Sequence, residues 1–178
     1  MNSDVIVARV VKWITDIVVG LNFCPFASKP LKSNLILYYV EPASTLKSAL
    51  ESFISVCNKL DEDQEKDTAI IILSNGFSSF DEYLKLLDLC EQLLQKEGYE
   101  GIYQVASFHP DYIFQGSNEE DPSNYTNRSP YPLLHILREE QLEKVLLKYP
   151  NPEHIPEHNI ALTQKLGLSY LKGLLNAC

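Results

Sequence analysis

The sequence predicts an α/β protein in which a small, mostly parallel sheet of three or four strands is covered by helices and followed by a helical C-terminal third. Three observations favour this class. Short apolar runs alternate with long amphipathic runs, one apolar run is uninterrupted and β-branched, and more than a dozen residues separate successive strands, as parallel pairing requires. A ferredoxin-like α+β arrangement with antiparallel pairing is the alternative.

The first amphipathic run predicts a helix that begins near Ser3 and ends at Gly20. Arg9, Lys12 and Asp16 fall at three- and four-residue intervals, so they share one helical face. They also divide the apolar residues into runs far shorter than the roughly 20 residues that a membrane span needs. The sequence therefore predicts neither a membrane anchor nor a signal peptide.

The remaining elements follow from apolar periodicity. A capping box formed by Ser79 and Glu82 predicts the start of a helix that ends at Gly98. From Pro132 onward the chain is predicted to be helical. The predicted strands are 34–40, 68–74 and 101–108, and a further helix is predicted over 44–60.

Composition narrows the classes of function. The chain has 178 residues, enough for the single domain predicted over 1–178, and its net charge of −9 argues against partners such as nucleic acids and anionic membranes. The four cysteines Cys24, Cys57, Cys90 and Cys178 are scattered without a CxxC pair, so neither a disulfide framework nor a classical zinc site is predicted. A reducing cytoplasm is the expected location, and the oligomeric state stays open.

A long polar connection, residues 110–131, follows the third predicted strand and is called the arm below. Loops of this length are usually functional or disordered, and the tyrosines of the arm disfavour disorder. In open parallel sheets, ligands lie beyond the carboxyl ends of the strands, where His109, Asp111 and Asn75 would meet. We expect the arm to cover a crevice there, and the alternative is a structural segment packed over the sheet.

Three stretches carry a family resemblance. They are "GLNFCPFA" (20–27), "ASFHPDYIFQG" (106–116) and "NYTNRSPYPLLHILRE" (124–139), and "IPEHNIA" (155–161) agrees with them. With these motifs the chain resembles the bacterial family called domain of unknown function 1415. The resemblance implies a single soluble bacterial domain, and it supplies no chemistry.

Cys24, His109 and Asp111 are the predicted catalytic residues. Cys24 precedes Pro25, and a helical turn beginning there would favour the thiolate. His109 would be its acid/base partner, with His135 as second choice, and Asp111 would orient the imidazole. The alternatives are a core cysteine, a structural histidine and an "HPD" turn whose aspartate caps its own backbone.

Five residues are predicted to bind substrate. The planar guanidinium of Arg128 suits a carboxylate or phosphate, although the neighbouring acids could pair with it instead. Arg138 has Glu139 as an ordinary internal partner. The full set is Arg128, His135, Asn127, Tyr125 and Arg138.

The leading hypothesis is a small cytoplasmic enzyme that acts on an anionic small molecule through a Cys/His site. A non-catalytic module that binds a metabolite or a protein is the alternative. A metal-dependent hydrolase using His109, Asp111 and His135, with Cys24 as an optional further ligand, is the third hypothesis, and no spacing signature supports it. No cofactor is predicted, because the chain lacks a glycine-rich phosphate cradle.

Overall fold

The computed structural model describes residues 2–42 and 44–178. Within them, a π-helical stretch (Ile14–Val19) continues the first helix, and two 3-10 helices cover Pro122–Thr126 and Pro152–His154. The helices and strands are α1 (Ser3–Trp13), α2 (Ser28–Lys32), β1 (Ile36–Glu41), α3 (Leu46–Glu62), β2 (Thr68–Leu73), α4 (Phe80–Lys96), β3 (Tyr103–Phe108), β4 (Leu133–Arg138), α5 (Glu139–Leu146), α6 (Ile155–Leu166) and α7 (Leu168–Asn176).

The strands form one mixed sheet in the order β1–β2–β4–β3. β1 and β2 are parallel, whereas β4 runs antiparallel to both β2 and β3. The predicted α/β class is therefore confirmed, and the predicted mostly parallel pairing is wrong. The ferredoxin-like alternative anticipated antiparallel pairs, but its order of elements differs from this chain, in which helices separate the first three strands.

β4 is the strand that the helical prediction from Pro132 onward missed. Leu134 and Ile136 pack on one face of the sheet, while Leu133 and His135 lie on the other. A short apolar run fits a buried strand as well as a helix, so periodicity alone could not separate them. The helical C-terminal part begins at Glu139 instead.

The first face of the sheet is covered by α3 and α4. Ile71 of β2 packs against Phe53 and Leu86 of these helices in a core that contains fully buried Cys57 and Cys90. β2 is buried along its whole length, which explains its uninterrupted apolar run. The two core thiols behave as small apolar side chains.

The second face of the sheet is covered by α1, its π-helical extension and α7. Val10, Trp13 and Leu171 pack there against Ile72. The first helix begins where the sequence predicted, and the π-helical stretch ends at Gly20. A Cβ at Gly20 would lie 2.2 Å from the carbonyl oxygen of Asp16, so a larger residue would not fit this backbone. Across the described residues, no helix combines the length and apolarity needed to cross a membrane.

Candidate functional site

A cavity of about 380 Å³ lies against the second face of the sheet. Its walls come from the end of α1, from the segment 24–30, which runs from a turn into the start of α2, and from α5. Most of its lining is apolar and includes Trp13, Ile36, Ile70, Phe108, Leu133 and Leu142. The volume falls in the range of natural small-molecule sites, which are mainly apolar with few polar groups.

His135 lies in the middle of the cavity floor. Its register neighbours are Ile70 on β2 and Ala106 on β3, and both also line the cavity. The ring of Phe108 lies beside the imidazole, with 6.3 Å between the ring centroids. Because the side chain of Ala106 is only a methyl group, space remains next to the imidazole that a larger side chain would fill.

Thr68 fixes the tautomer of His135. The Thr68 hydroxyl donates its single proton to the carbonyl oxygen of Ile136 at 2.6 Å, and it lies 2.7 Å from Nε2 of His135. The hydroxyl oxygen therefore accepts from an Nε2–H group, and Nδ1 carries the lone pair. Burial lowers the pKa of His135 to about 4, so the imidazole is neutral at pH 7.

Cys24 lines the same cavity as His135. The residue is half-buried at the start of a turn in which the N–H of Ala27 donates to the Cys24 carbonyl at 3.2 Å. Burial raises the pKa of the thiol, and the backbone N–H groups of Phe26 and Ala27 lower it to a smaller extent. The thiol is therefore protonated at neutral pH, unlike an activated nucleophile.

The charged side chains nearest the cavity have different surroundings. Lys29 and Asp67 both line it, and the exposed Lys29 forms no ion pair with any described residue. Arg138 also contributes to the lining, but its guanidinium donates to the carbonyl oxygens of Lys66 and Leu60 at the end of α3. Arg138 thus bonds internally, as the sequence suggested, but its partners are backbone carbonyls and not Glu139.

The outer wall of the cavity is loosely packed. α5 contributes Leu142 and Val145 to the lining, yet none of its residues is buried. Leu147, just beyond α5, is 88% exposed. The cavity is therefore covered by the segment 24–30 and α5, whereas the sequence led us to expect the arm in that position.

His109 lies away from the lining of this cavity. It is fully buried and contacts the rings of Phe80 and Tyr83. Its Nε2 donates to the carbonyl oxygen of Phe77 at 2.9 Å, and its Nδ1 accepts from the backbone N–H of Asp111 at 3.0 Å. Both ring nitrogens are occupied, and burial lowers the pKa of His109. The structure thus separates His109 and Asp111 from Cys24.

Arg128 organises the arm. Its guanidinium donates to the carbonyl oxygens of Tyr112 at 3.2 Å and Glu119 at 2.9 Å, and it lies over the ring of Tyr125. The Trp13 indole N–H donates to the Arg128 carbonyl at 2.9 Å, which ties the arm to α1. These contacts engage the guanidinium internally, at a position outside the cavity lining.

Asn127 and Tyr125 also hold the arm in place. The Asn127 amide donates to the carbonyl of Ser107 at 3.0 Å, and Tyr125 is 5% exposed. Fully buried Asn124, which the sequence reasoning missed, accepts from the backbone N–H of Phe114. The arm is therefore an ordered loop held by polar side chains, which accounts for its unusual composition.

The residues proposed for a metal site are not gathered. Among residues 2–42 and 44–178, no three His, Cys, Asp or Glu side chains are placed to hold a metal ion. The sequence reasoning also missed Thr68, Ala106 and Lys29. Thr68 and Ala106 could be recognised only from the strand register, since each is adjacent to His135 across the sheet and not along the chain.

Comparison with known protein families gives a match over most of the chain. Residues 5–173 match the model of a family described as a protein of unknown function, DUF1415. Neither the curated proteins nor the solved structures contain a match. The match spans nearly the whole chain, so the resemblance inferred from the sequence motifs is confirmed.

Proposed function

This chain belongs to the DUF1415 family, whose description assigns no activity, and we propose that it binds a small, mainly apolar molecule in the cavity beside His135. One observation carries the proposal. A cavity of about 380 Å³ with an apolar lining has a single imidazole on its floor, which is the usual composition of a small-molecule site. A non-catalytic metabolite-binding module is therefore the function we favour.

An anionic group on the ligand fits this proposal. Lys29 lines the cavity and is exposed to solvent, and it forms no ion pair with the described residues. A ligand carboxylate could approach it without displacing an internal partner. Arg128 and Arg138 are less suitable, because backbone carbonyls already occupy their guanidinium groups.

A thiol-dependent enzyme is the second candidate. Cys24 and His135 line one cavity, which is the observation that favours it. His135 would replace His109 as the base. It would take the thiol proton as the sulfur adds to a carbonyl carbon of a bound substrate and the C=O π electrons move to oxygen, and it would return that proton to the leaving group as the carbonyl re-forms and the bond to the leaving group breaks. The raised pKa of Cys24 and the lowered pKa of His135 make both groups weakly reactive at rest, so we rank catalysis below binding.

Four free thiols support a reducing cytoplasm as the location.

A fluorescent apolar probe tests the binding proposal. We expect 2-phenylindole to bind the native chain and Ala106→Phe to weaken its binding at least about tenfold, because the new ring would occupy the cavity next to His135. The matched control is Gln104→Phe, which adds the same ring to an exposed position of β3 outside the cavity lining. Equal binding by the native chain and Ala106→Phe would contradict the proposal.

Cys24→Ser separates binding from catalysis. A binding module should retain its affinity for 2-phenylindole in this variant, because serine preserves the approximate size of the side chain. A thiol enzyme should keep the affinity and lose its turnover of any substrate identified by screening. An activity that survives Cys24→Ser would rule out the thiol mechanism.

A further inference from the structure

We infer that the ligand of this cavity presents a hydrogen-bond donor to Nδ1 of His135, which selects alcohols, phenols or N–H heteroaromatic compounds with an apolar body. The inference rests on the proposed function, because it concerns the same cavity. It adds the chemical class of the ligand and the orientation of the ligand in the cavity. Three observations support it.

The tautomer of His135 is the first observation. Thr68 Oγ1 lies 2.6 Å from the carbonyl oxygen of Ile136 and 2.7 Å from Nε2 of His135. One hydroxyl proton cannot serve both acceptors. If it pointed at Nε2, two oxygens would face each other at 2.6 Å without a proton between them. The hydroxyl therefore donates to Ile136, and the imidazole donates from Nε2.

The surroundings of Nδ1 are the second observation. The described residues provide Nδ1 with no hydrogen-bond donor, and the register neighbours Ile70 and Ala106 are apolar. The indole N–H of Trp13, which also lines the cavity, is already bonded to the Arg128 carbonyl at 2.9 Å. A ligand that covered this nitrogen with a purely apolar group would remove it from water without compensation.

The charge pattern is the third observation. A carboxylate placed against Nδ1 would oppose the imidazole lone pair in an apolar environment, which is unfavourable. Lys29 is exposed at the cavity and has no ionic partner among the described residues. Asp67 also lines the cavity, and its carboxylate would repel an anion. A ligand with both groups therefore lies with its donor on the floor and its anionic end toward Lys29 and away from Asp67.

Isosteric probes test the inference. 2-Phenylbenzofuran replaces the N–H of 2-phenylindole by an oxygen of nearly the same size, and N-methyl-2-phenylindole replaces the N–H hydrogen by a methyl group, so both lack the donor and the benzofuran is the size-matched comparison. We expect the first compound to bind the native chain about tenfold more tightly than the other two, since one satisfied hydrogen bond is worth about that factor. His135→Phe keeps a ring on the floor and should remove the preference, whereas Gln104→Phe should retain it.

Two further measurements keep the inference testable if His135→Phe does not fold. Thr68→Val preserves side-chain shape and removes the acceptor of Nε2–H, so it should reduce the preference. The ¹⁵N chemical shifts of His135 at pH 7 should show the Nε2–H tautomer. An Nδ1–H tautomer, or equal binding of all three probes to the native chain, would overturn the inference and leave the proposed function standing. Failure of every probe to bind would overturn both.

Discussion

The rings of Phe26 and Tyr149 meet edge-on, with their centroids 5.3 Å apart. Phe26 belongs to the cavity segment 24–30, and Tyr149 follows α5. This contact therefore joins the two covering elements of the cavity. Since α5 has no buried residue, we expect its position to depend strongly on this pair of rings.

Phe26→Ala should speed the exchange of a ligand. An aromatic pair contributes roughly 0.5–1.5 kcal/mol beyond area burial, so dissociation of 2-phenylindole should become up to about tenfold faster. Backbone amides of α5 should exchange hydrogen faster in the same variant. Stopped-flow fluorescence and hydrogen–deuterium exchange measure the two effects.

Tyr149→Phe is the control for this contact. It keeps the ring, so dissociation rates should stay at the native value, and Tyr149→Ala should behave like Phe26→Ala. If the two alanine substitutions had fully additive effects, the rings would not act as a pair.

Acid should destabilise the protein through His135. Its pKa is about 4 when folded and near 6.5 when unfolded, so the unfolded chain binds a proton first as the pH falls. Stability should be lost between about pH 6.5 and pH 4, by roughly 3 kcal/mol in total at about 1.4 kcal/mol per pH unit.

Denaturant titrations at pH 7, 5.5 and 4.5 measure this loss. His135→Phe should have a shallower pH dependence than the native chain. A residual slope should persist, because burial also lowers the pKa of His109 and acts in the same direction. Identical slopes for the two proteins would mean that His135 takes up a proton at its ordinary pKa.

Cys24 should be alkylated slowly at pH 7.5. Burial raises its pKa, so the thiolate fraction should fall below that of a free thiol. Saturating 2-phenylindole should protect Cys24 from iodoacetamide and leave Cys178 unprotected, because Cys178 is outside the cavity lining. Peptide mass spectrometry separates the two sites, and equal protection of both would indicate a general effect of the probe.

Arg128→Ala should loosen the arm without weakening ligand binding. The substitution removes two hydrogen bonds to the carbonyls of Tyr112 and Glu119, a loss of about 1–3 kcal/mol. Limited proteolysis should then cleave the arm faster, while the affinity for 2-phenylindole and for its carboxylated derivatives should stay unchanged. A selective loss of affinity for the carboxylated derivatives would restore the anion-binding role first considered for Arg128.

Local sequence patterns predicted the helices whose apolar residues recur with a helical period and the strand whose residues are all apolar. The helix from Ser3, the β-branched run of β2 and the helices on the first face all follow from periodicity and burial. β4 did not follow, because its six residues are buried or half-buried on both sides and carry no helical or alternating pattern. That single element changed the sheet from mostly parallel to mostly antiparallel.

The candidate site was only partly accessible from the sequence. The unusual position of Cys24 marked one wall of the cavity, and His135 was selected as its second-choice partner. The preference for His109 rested on the assumption that the carboxyl ends of all the predicted strands lie at the same edge of the sheet. In the structure, the backbone N–H of Asp111 occupies Nδ1 of His109. A local contact of this kind depends on turn geometry that residue types alone do not fix.

The strand order has a consequence for the time course of folding. β4 is the last strand of the sheet along the chain, yet it lies between β2 and β3. During synthesis, β1 and β2 can pair once Thr68–Leu73 has left the ribosome, but β3 has no strand to pair with until Leu133–Arg138 has followed. Nascent chains that stop before this strand should expose the edge of β2 and be prone to self-association.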